Sequence, residues 1–98
     1  MMNEEKNSEA FYKKLKSQLY DTGTWPSEYL YKFIVVSNKQ KITEIEDIFN
    51  DMGAVISTTE SKNGKYTSVS VSVRLENPEA VIKKYKEVAE NVEGVISL

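Results

Sequence analysis

The groups that could do chemistry in this sequence are carboxylates, lysines and tyrosines, because it contains no histidine and no cysteine. Histidine is the side chain that titrates near neutral pH unaided, and it is the commonest metal ligand. Without cysteine there are no disulfides, thiolate metal sites or thiol nucleophiles. A catalyst built on this chain would need a carboxylate, lysine or tyrosine with a strongly shifted pKa. The densest carboxylates are Glu44, Glu46, Asp47 and Asp51. Glu44, Asp47 and Asp51 fall at i, i+3 and i+7, so one helix face could gather them, and hard cations do take such oxygen ligands. An EF-hand, however, needs a twelve-residue loop with alternating ligands and a central glycine, which this segment lacks. The four acids therefore read as a solvated helix face. Gly23, Gly53, Gly64 and Gly94 are far apart and make no phosphate-binding loop or dinucleotide fingerprint. The sequence predicts a non-catalytic protein with no catalytic residue, no metal and no cofactor.

The elements that must position any working surface are legible from periodicity. Residues 1–7 read as a polar tail, and Ser8 is placed to cap a short helix with Phe11, Leu15 and Leu19 along one stripe. Asp21-Thr22-Gly23-Thr24 ends it, and Trp25-Pro26 favours an extended backbone. Tyr29 to Val36 is rich in aromatic and β-branched residues and reads as a strand. It is apolar on nearly both faces, as expected inside a sheet. Ser37 and Gln40 have the spacing of a capping box. The helix they open carries Ile42, Ile45, Ile48, Phe49 and Met52 on one stripe and stops at Gly53.

Ala54 to Lys62 reads as a second strand, and Asn63-Gly64 as a two-residue type I′ hairpin turn. The returning strand, Lys65 to Leu75, alternates cleanly. Val69, Val71, Val73 and Leu75 face one way, and Ser68, Ser70, Ser72 and Arg74 the other. Asn77 and Pro78 open a further helix, whose buried stripe is Val81, Ile82, Tyr85, Val88 and Ala89. Lys83, Lys84 and Lys86 lie toward its outer side. Val92 to Leu98 reads as a last strand.

At 98 residues this is one folding unit, with 1–24 as tail and helix and 25–98 as the domain proper. The domain divides into strand-helix-strand twice, the split β-α-β pattern of ferredoxin-like folds. The predicted class is α+β: a β-α-β-β-α-β two-layer sandwich. Its four-stranded antiparallel sheet has order 4-1-3-2, and an extra helix precedes it.

With these elements in place, the chain resembles the YbeD-like family of bacterial proteins, whose function is unassigned. The resemblance runs from Trp25 to Leu98. It rests on Trp25-Pro26 leading into Tyr31-Lys32-Phe33, on the Ser61-Lys62-Asn63-Gly64-Lys65-Tyr66 hairpin, on Thr67-Ser68-Val69-Ser70-Val71, and on the short final strand. That family is similar in fold to ACT-type regulatory domains, so the resemblance implies a regulatory or adaptor role and carries no catalytic residue over. ACT domains that sense amino acids use a glycine after the first strand. Here that segment is Ser37-Asn38-Lys39-Gln40-Lys41, without one.

Surfaces are what remain. The open sheet face is expected to show Leu30, Lys32, Ile34 and Val36 beside Ser68, Ser70, Ser72 and Arg74, and the N-terminal helix could lie over it. The hairpin tip, with Lys62, Lys65 and Tyr66, is a second candidate contact. The expected role is binding to another protein or to itself. The alternative is weak binding of single-stranded RNA on the open face. RNA-recognition motifs stack bases on rings from the two central strands, whereas strand 3 offers serines there. A net charge of −2 also lacks the basic footprint of nucleic-acid binders. The start is polar with both charge signs, unlike a signal peptide. No apolar run reaches the ~20 residues of a membrane helix, so a cytoplasmic location without membrane contact is expected.

Overall fold

A computed structural model describes residues 2–98, with side chains from Glu9 onward. In chain order the elements are α1 (Met2–Thr22), β1 (Ser27–Val36), α2 (Lys39–Ile48), β2 (Val55–Glu60), β3 (Tyr66–Leu75), α3 (Pro78–Asn91) and β4 (Ile96–Ser97). All neighbouring strands are antiparallel, in the order β2-β3-β1-β4. This is the expected 4-1-3-2 order read from the other edge, and the fold is the ferredoxin-like sandwich. β1 is an inner strand as expected, but only its Tyr31, Phe33 and Val35 face is buried, while Leu30 and Val36 on the other face stay exposed. Among the described residues no helix is long and apolar enough to cross a membrane.

The core lies between the sheet and the layer of α2 and α3. β1 turns Tyr31, Phe33 and Val35 inward, and β3 turns Thr67, Val69, Val71, Val73 and Leu75 inward. Ile45 and Phe49 come from the α2 segment, and Val81, Tyr85 and Val88 from α3. Tyr31 is wholly buried at the centre, with its ring centroid 4.8 Å from Tyr85 and 5.1 Å from Phe49. A buried phenol needs a hydrogen-bond partner. The Tyr31 hydroxyl donates to the Val81 carbonyl at 2.9 Å, and the Tyr29 and Tyr85 hydroxyls bond each other at 2.9 Å. Burial pushes the Tyr31 and Tyr85 phenols well above their ordinary ionisation range, so both stay neutral.

The structure differs from the expected elements at several places. α1 runs through residues 2–8, so 2–7 are not a tail and Ser8 is inside the helix rather than its cap; Met1 lies outside the described residues. The inward stripe of α1 is Tyr12, Leu15 and Leu19, packed on the core, while Phe11 is 57% exposed. Leu15 and Leu19 belong to both stripes, and Tyr12 wins the third place because it meets Tyr85 and Lys86 on α3. α1 thus lies against α3 and not over the open sheet face. The cap of α2 is Asn38, whose side chain accepts from the Gln40 amide, while the Ser37 hydroxyl pairs with that of Thr67 at 2.8 Å.

Asn63-Gly64 does not form a type I′ turn, because only Gly64 has positive φ. The Ser61 carbonyl instead accepts from the Gly64 amide, with Lys62 and Asn63 between them. A two-residue turn and this wider one set the same register, Glu60 opposite Thr67, so the strand pairing was still legible. Ala89 is exposed, because the buried stripe of α3 runs on to Val92. Lys84 turns inward and caps the end of α2 by donating to the Ile48 carbonyl at 2.9 Å. The last strand is only Ile96–Ser97, because α3 and a left-handed Gly94 take up the residues before it.

Two outcomes follow from this packing. Replacing Tyr31 with Phe keeps the ring and removes one hydrogen bond, and should cost about 1 kcal/mol. Tyr31→Ala should cost about 3–5 kcal/mol. Urea unfolding midpoints check both. At the helix junction the Tyr20 hydroxyl donates to the Glu79 carboxylate, and this bond holds the Glu79 pKa below the ordinary carboxylate value. A carboxyl with a lowered folded pKa stabilises the fold above its unfolded pKa, and that contribution is lost as pH falls through the folded pKa. The pair is exposed, so its effect on stability is small. In Tyr20→Phe the Glu79 titration should move back up, as an NMR titration of its carboxyl carbon will show.

Candidate functional site

The sheet has one face under α2 and α3 and one face free of them. Alternation along the strands and the observed register decide which side chains share the free face. Leu30 lies opposite Ser72, Lys32 opposite Ser70, Ile34 opposite Ser68, and Val36 opposite Tyr66. From β2, Val55 joins Ser72, Ser57 joins Ser70 and Thr59 joins Ser68, while from β4 Ile96 joins Ile34. The face is therefore laid out in rows. Val55, Ser72 and Leu30 make the first. Ser57, Ser70 and Lys32 make the second. Thr59, Ser68, Ile34 and Ile96 make the third, and Tyr66 and Val36 the fourth.

These rows form two apolar corners separated by a polar middle. Val55 is 72% exposed and Leu30 58%, flanking the small Ser72. Diagonally across, Ile96 is 54% exposed and sits with Ile34, Val36 and Tyr66. Between them stand hydroxyls and one ammonium, that of Lys32. At the far end of the face, Arg74 lies opposite Glu28, a pairing of unlike charges. Isolated exposed apolar side chains are ordinary, whereas grouped ones bordered by polar residues mark contact sites.

The hairpin tip meets this face at one corner. The Asn63 side-chain oxygen accepts from the Lys65 amide at 3.0 Å, and the Lys65 carbonyl accepts from the Ser37 amide at 2.9 Å. Lys65 is thereby fixed with its ammonium 5.7 Å from the Tyr66 ring centre. Lys62 is exposed within the turn. So Leu30, Lys32, Ile34, Ser68, Ser70, Ser72, Arg74 and Tyr66 share one surface, with Lys65 leaning over its edge. Val55 and Ile96 belong to that surface and were missed in the sequence. The hairpin register could have revealed Val55, since it places that residue beside Ser72. Nothing in the segment Val92 to Leu98 singled out Ile96.

Other groupings are weaker. The acidic set does not line up as a helix face, because α2 ends at Ile48 and Asp51 adopts a left-handed φ of 68° beyond it. No group of three or more His, Cys, Asp or Glu that could hold a metal ion occurs among the described residues. A cleft between α1 and α3 is lined by Tyr12, Lys13, Lys16 and Lys86. Lys86 is already engaged there, 3.5 Å from the Glu9 carboxylate and 5.5 Å from the Tyr12 ring centre.

A family model described as a protein of unknown function, DUF493, matches residues 22–96. The chain belongs to this family. It is the YbeD-like family that the hairpin and strand motifs resemble. The DUF493 match begins at the end of α1 and takes in β1, β2, β3 and the first residue of β4, so the open face lies within it. The solution structure of protein HP0495 from H. pylori is similar, with 19% sequence identity over 76% of this chain and 86% of that one and a TM-score of 0.58. At that identity the likeness speaks for the fold. No curated protein matches the sequence.

If the two apolar corners bury nothing within the molecule, they can be made polar cheaply. The triple variant Leu30→Thr, Val55→Thr, Ile96→Thr puts a β-branched residue, suited to a strand, at each position. It should fold with a stability within about 1 kcal/mol of the parent, by urea unfolding.

Proposed function

We propose that this DUF493 domain is a small, non-catalytic regulatory or adaptor module that works by protein–protein interaction through its open sheet face. The observation that carries the reading is the pairing of two exposed apolar corners with a hydroxyl-rich middle on one face of the sheet. Serines at 68, 70 and 72 are short, so a partner surface can approach the backbone closely, and Leu30, Val55 and Ile96 supply apolar area to bury. The position of α1 supports the same reading, since it packs on α3 and leaves this face free.

The two largest pKa shifts support the non-catalytic part of the proposal, because both fall on core tyrosines. The phenols of Tyr31 and Tyr85 are raised by burial in the core, where their hydroxyls join β1 to α3. Their role there is architectural.

The test is a comparison of the parent with the triple threonine variant described above. Each is immobilised and exposed to lysate of the source organism, and bound proteins are identified by mass spectrometry. A partner retained by the parent and lost at least about tenfold by the folded variant is the expected result. Equal capture by both would reject the face as the working surface. Salt-dependent binding of single-stranded RNA that Lys32→Glu abolishes would instead favour the RNA reading.

A further inference from the structure

The outer edge of β2 has a different character from the sheet face. β2 pairs only with β3, from Val55 opposite Ser72 to Glu60 opposite Thr67, without a bulge. The ladder runs on to Ser61, whose amide donates to the Tyr66 carbonyl at 2.8 Å. In an antiparallel pair, residues bond toward the neighbour at every second position. Since Ser61 bonds toward β3, so do Thr59, Ser57 and Val55. The backbone N–H and C=O groups of Ile56, Thr58 and Glu60 therefore point away from the sheet.

Natural edge strands are commonly blunted by proline, lysine, inward-pointing charge or a bulge. Val-Ile-Ser-Thr-Thr-Glu has none of these before Glu60 at its end. Five of its six residues are exposed. The opposite edge is different, since β4 is two residues long.

We propose that β2 pairs antiparallel with β2 of a second copy of this chain, joining two four-stranded sheets into one of eight strands. The sequence of the edge is self-complementary. With a two-fold axis at Ser57, Ile56 of each copy lies opposite Thr58 of the other, and both bond through their outward backbone groups. Glu60 then lies opposite Ala54, so like charges do not meet. Charge also fits beyond the strand. The same register brings the Lys62 turn of each copy to residues 51–53 of the other. There a groove of about 410 Å³ runs between the end of α2 and β2, lined by Glu46, Phe49, Asp51, Ala54 and Ile56. The lysine of the turn meets the acidic rim of that groove, and the symmetry supplies this contact twice. Pairing along the edge leaves the open sheet face uncovered, so this contact is independent of the one proposed above.

The test uses the full chain. Sedimentation velocity over a micromolar-to-millimolar range should show a monomer–dimer equilibrium. Amide exchange at Ile56, Thr58 and Glu60 should slow as concentration rises, because those amides become bonded only in the dimer. Thr58→Pro removes an outward donor without touching the β3 ladder and should give a folded monomer, as edge positions tolerate proline. Lys62→Glu should weaken the dimer by about tenfold or more, and adding Glu46→Lys should restore part of the loss. A chain that stays monomeric at millimolar concentration would overturn the proposal. So would a dimer that persists in folded Thr58→Pro, or one that forms without slowing those three amides.

Discussion

The structure depends on the burial of Tyr31. Its phenol sits at the centre of the sheet with no exposure to solvent, so its hydroxyl must be satisfied from within the protein. The carbonyl of Val81 does this, and that bond fixes the distance and rotation of α3 over β1. Tyr85, one turn further along α3, then meets Tyr29, and the rings of Tyr31, Phe33, Phe49 and Tyr85 close around one another. The helical layer is held to one side of the sheet by this arrangement. α1 continues the same layer by resting Tyr12, Leu15 and Leu19 on α3 and the core. A one-sided core leaves a sheet face without cover, and that face follows from the packing rather than from any special sequence of its own.

Much of this was legible in the sequence because it depends on period. The alternation of Val69, Val71 and Val73 against Ser68, Ser70 and Ser72 identifies inside and outside without further information. Asn77-Pro78 gives the start of α3 by local chemistry alone, and the Asn77 side chain does accept from the Ala80 amide. What local patterns could not settle was competition between neighbours. Ser37 and Asn38 are both good caps, and Thr67 decides between them by engaging the Ser37 hydroxyl. Phe11 and Tyr12 both continue the stripe of Leu15 and Leu19, and contacts on α3 decide in favour of Tyr12. Lys84 looks like a solvated lysine until the end of α2 supplies it with the Ile48 carbonyl and the Phe49 ring.

The candidate surface shows the same division. Leu30, Lys32, Ile34 and the three serines were readable as one face, because β1 and β3 are long and regular. Val55 and Ile96 complete its apolar corners from the two outer strands. There the side-chain pattern is weak, and pairing with an inner strand is what sets direction. The edge of β2 was still less accessible, since which backbone groups point outward depends on the hydrogen-bond phase of the ladder. The function proposed for this DUF493 domain accordingly rests on surfaces assembled across strands. No short motif announces them, which is why a chain without histidine or cysteine yields so little to a search for reacting residues.

The central claim is that the uncovered sheet face is where the molecule meets its partner. Methyl-labelled chain observed by NMR in lysate of its source organism tests this most directly. The account predicts that methyl signals of Leu30, Val36, Val55 and Ile96 shift or broaden while those of Val69, Val71 and Ile45 in the core stay unchanged. Unchanged face signals together with perturbed Leu15 and Leu19 signals on α1 would contradict it.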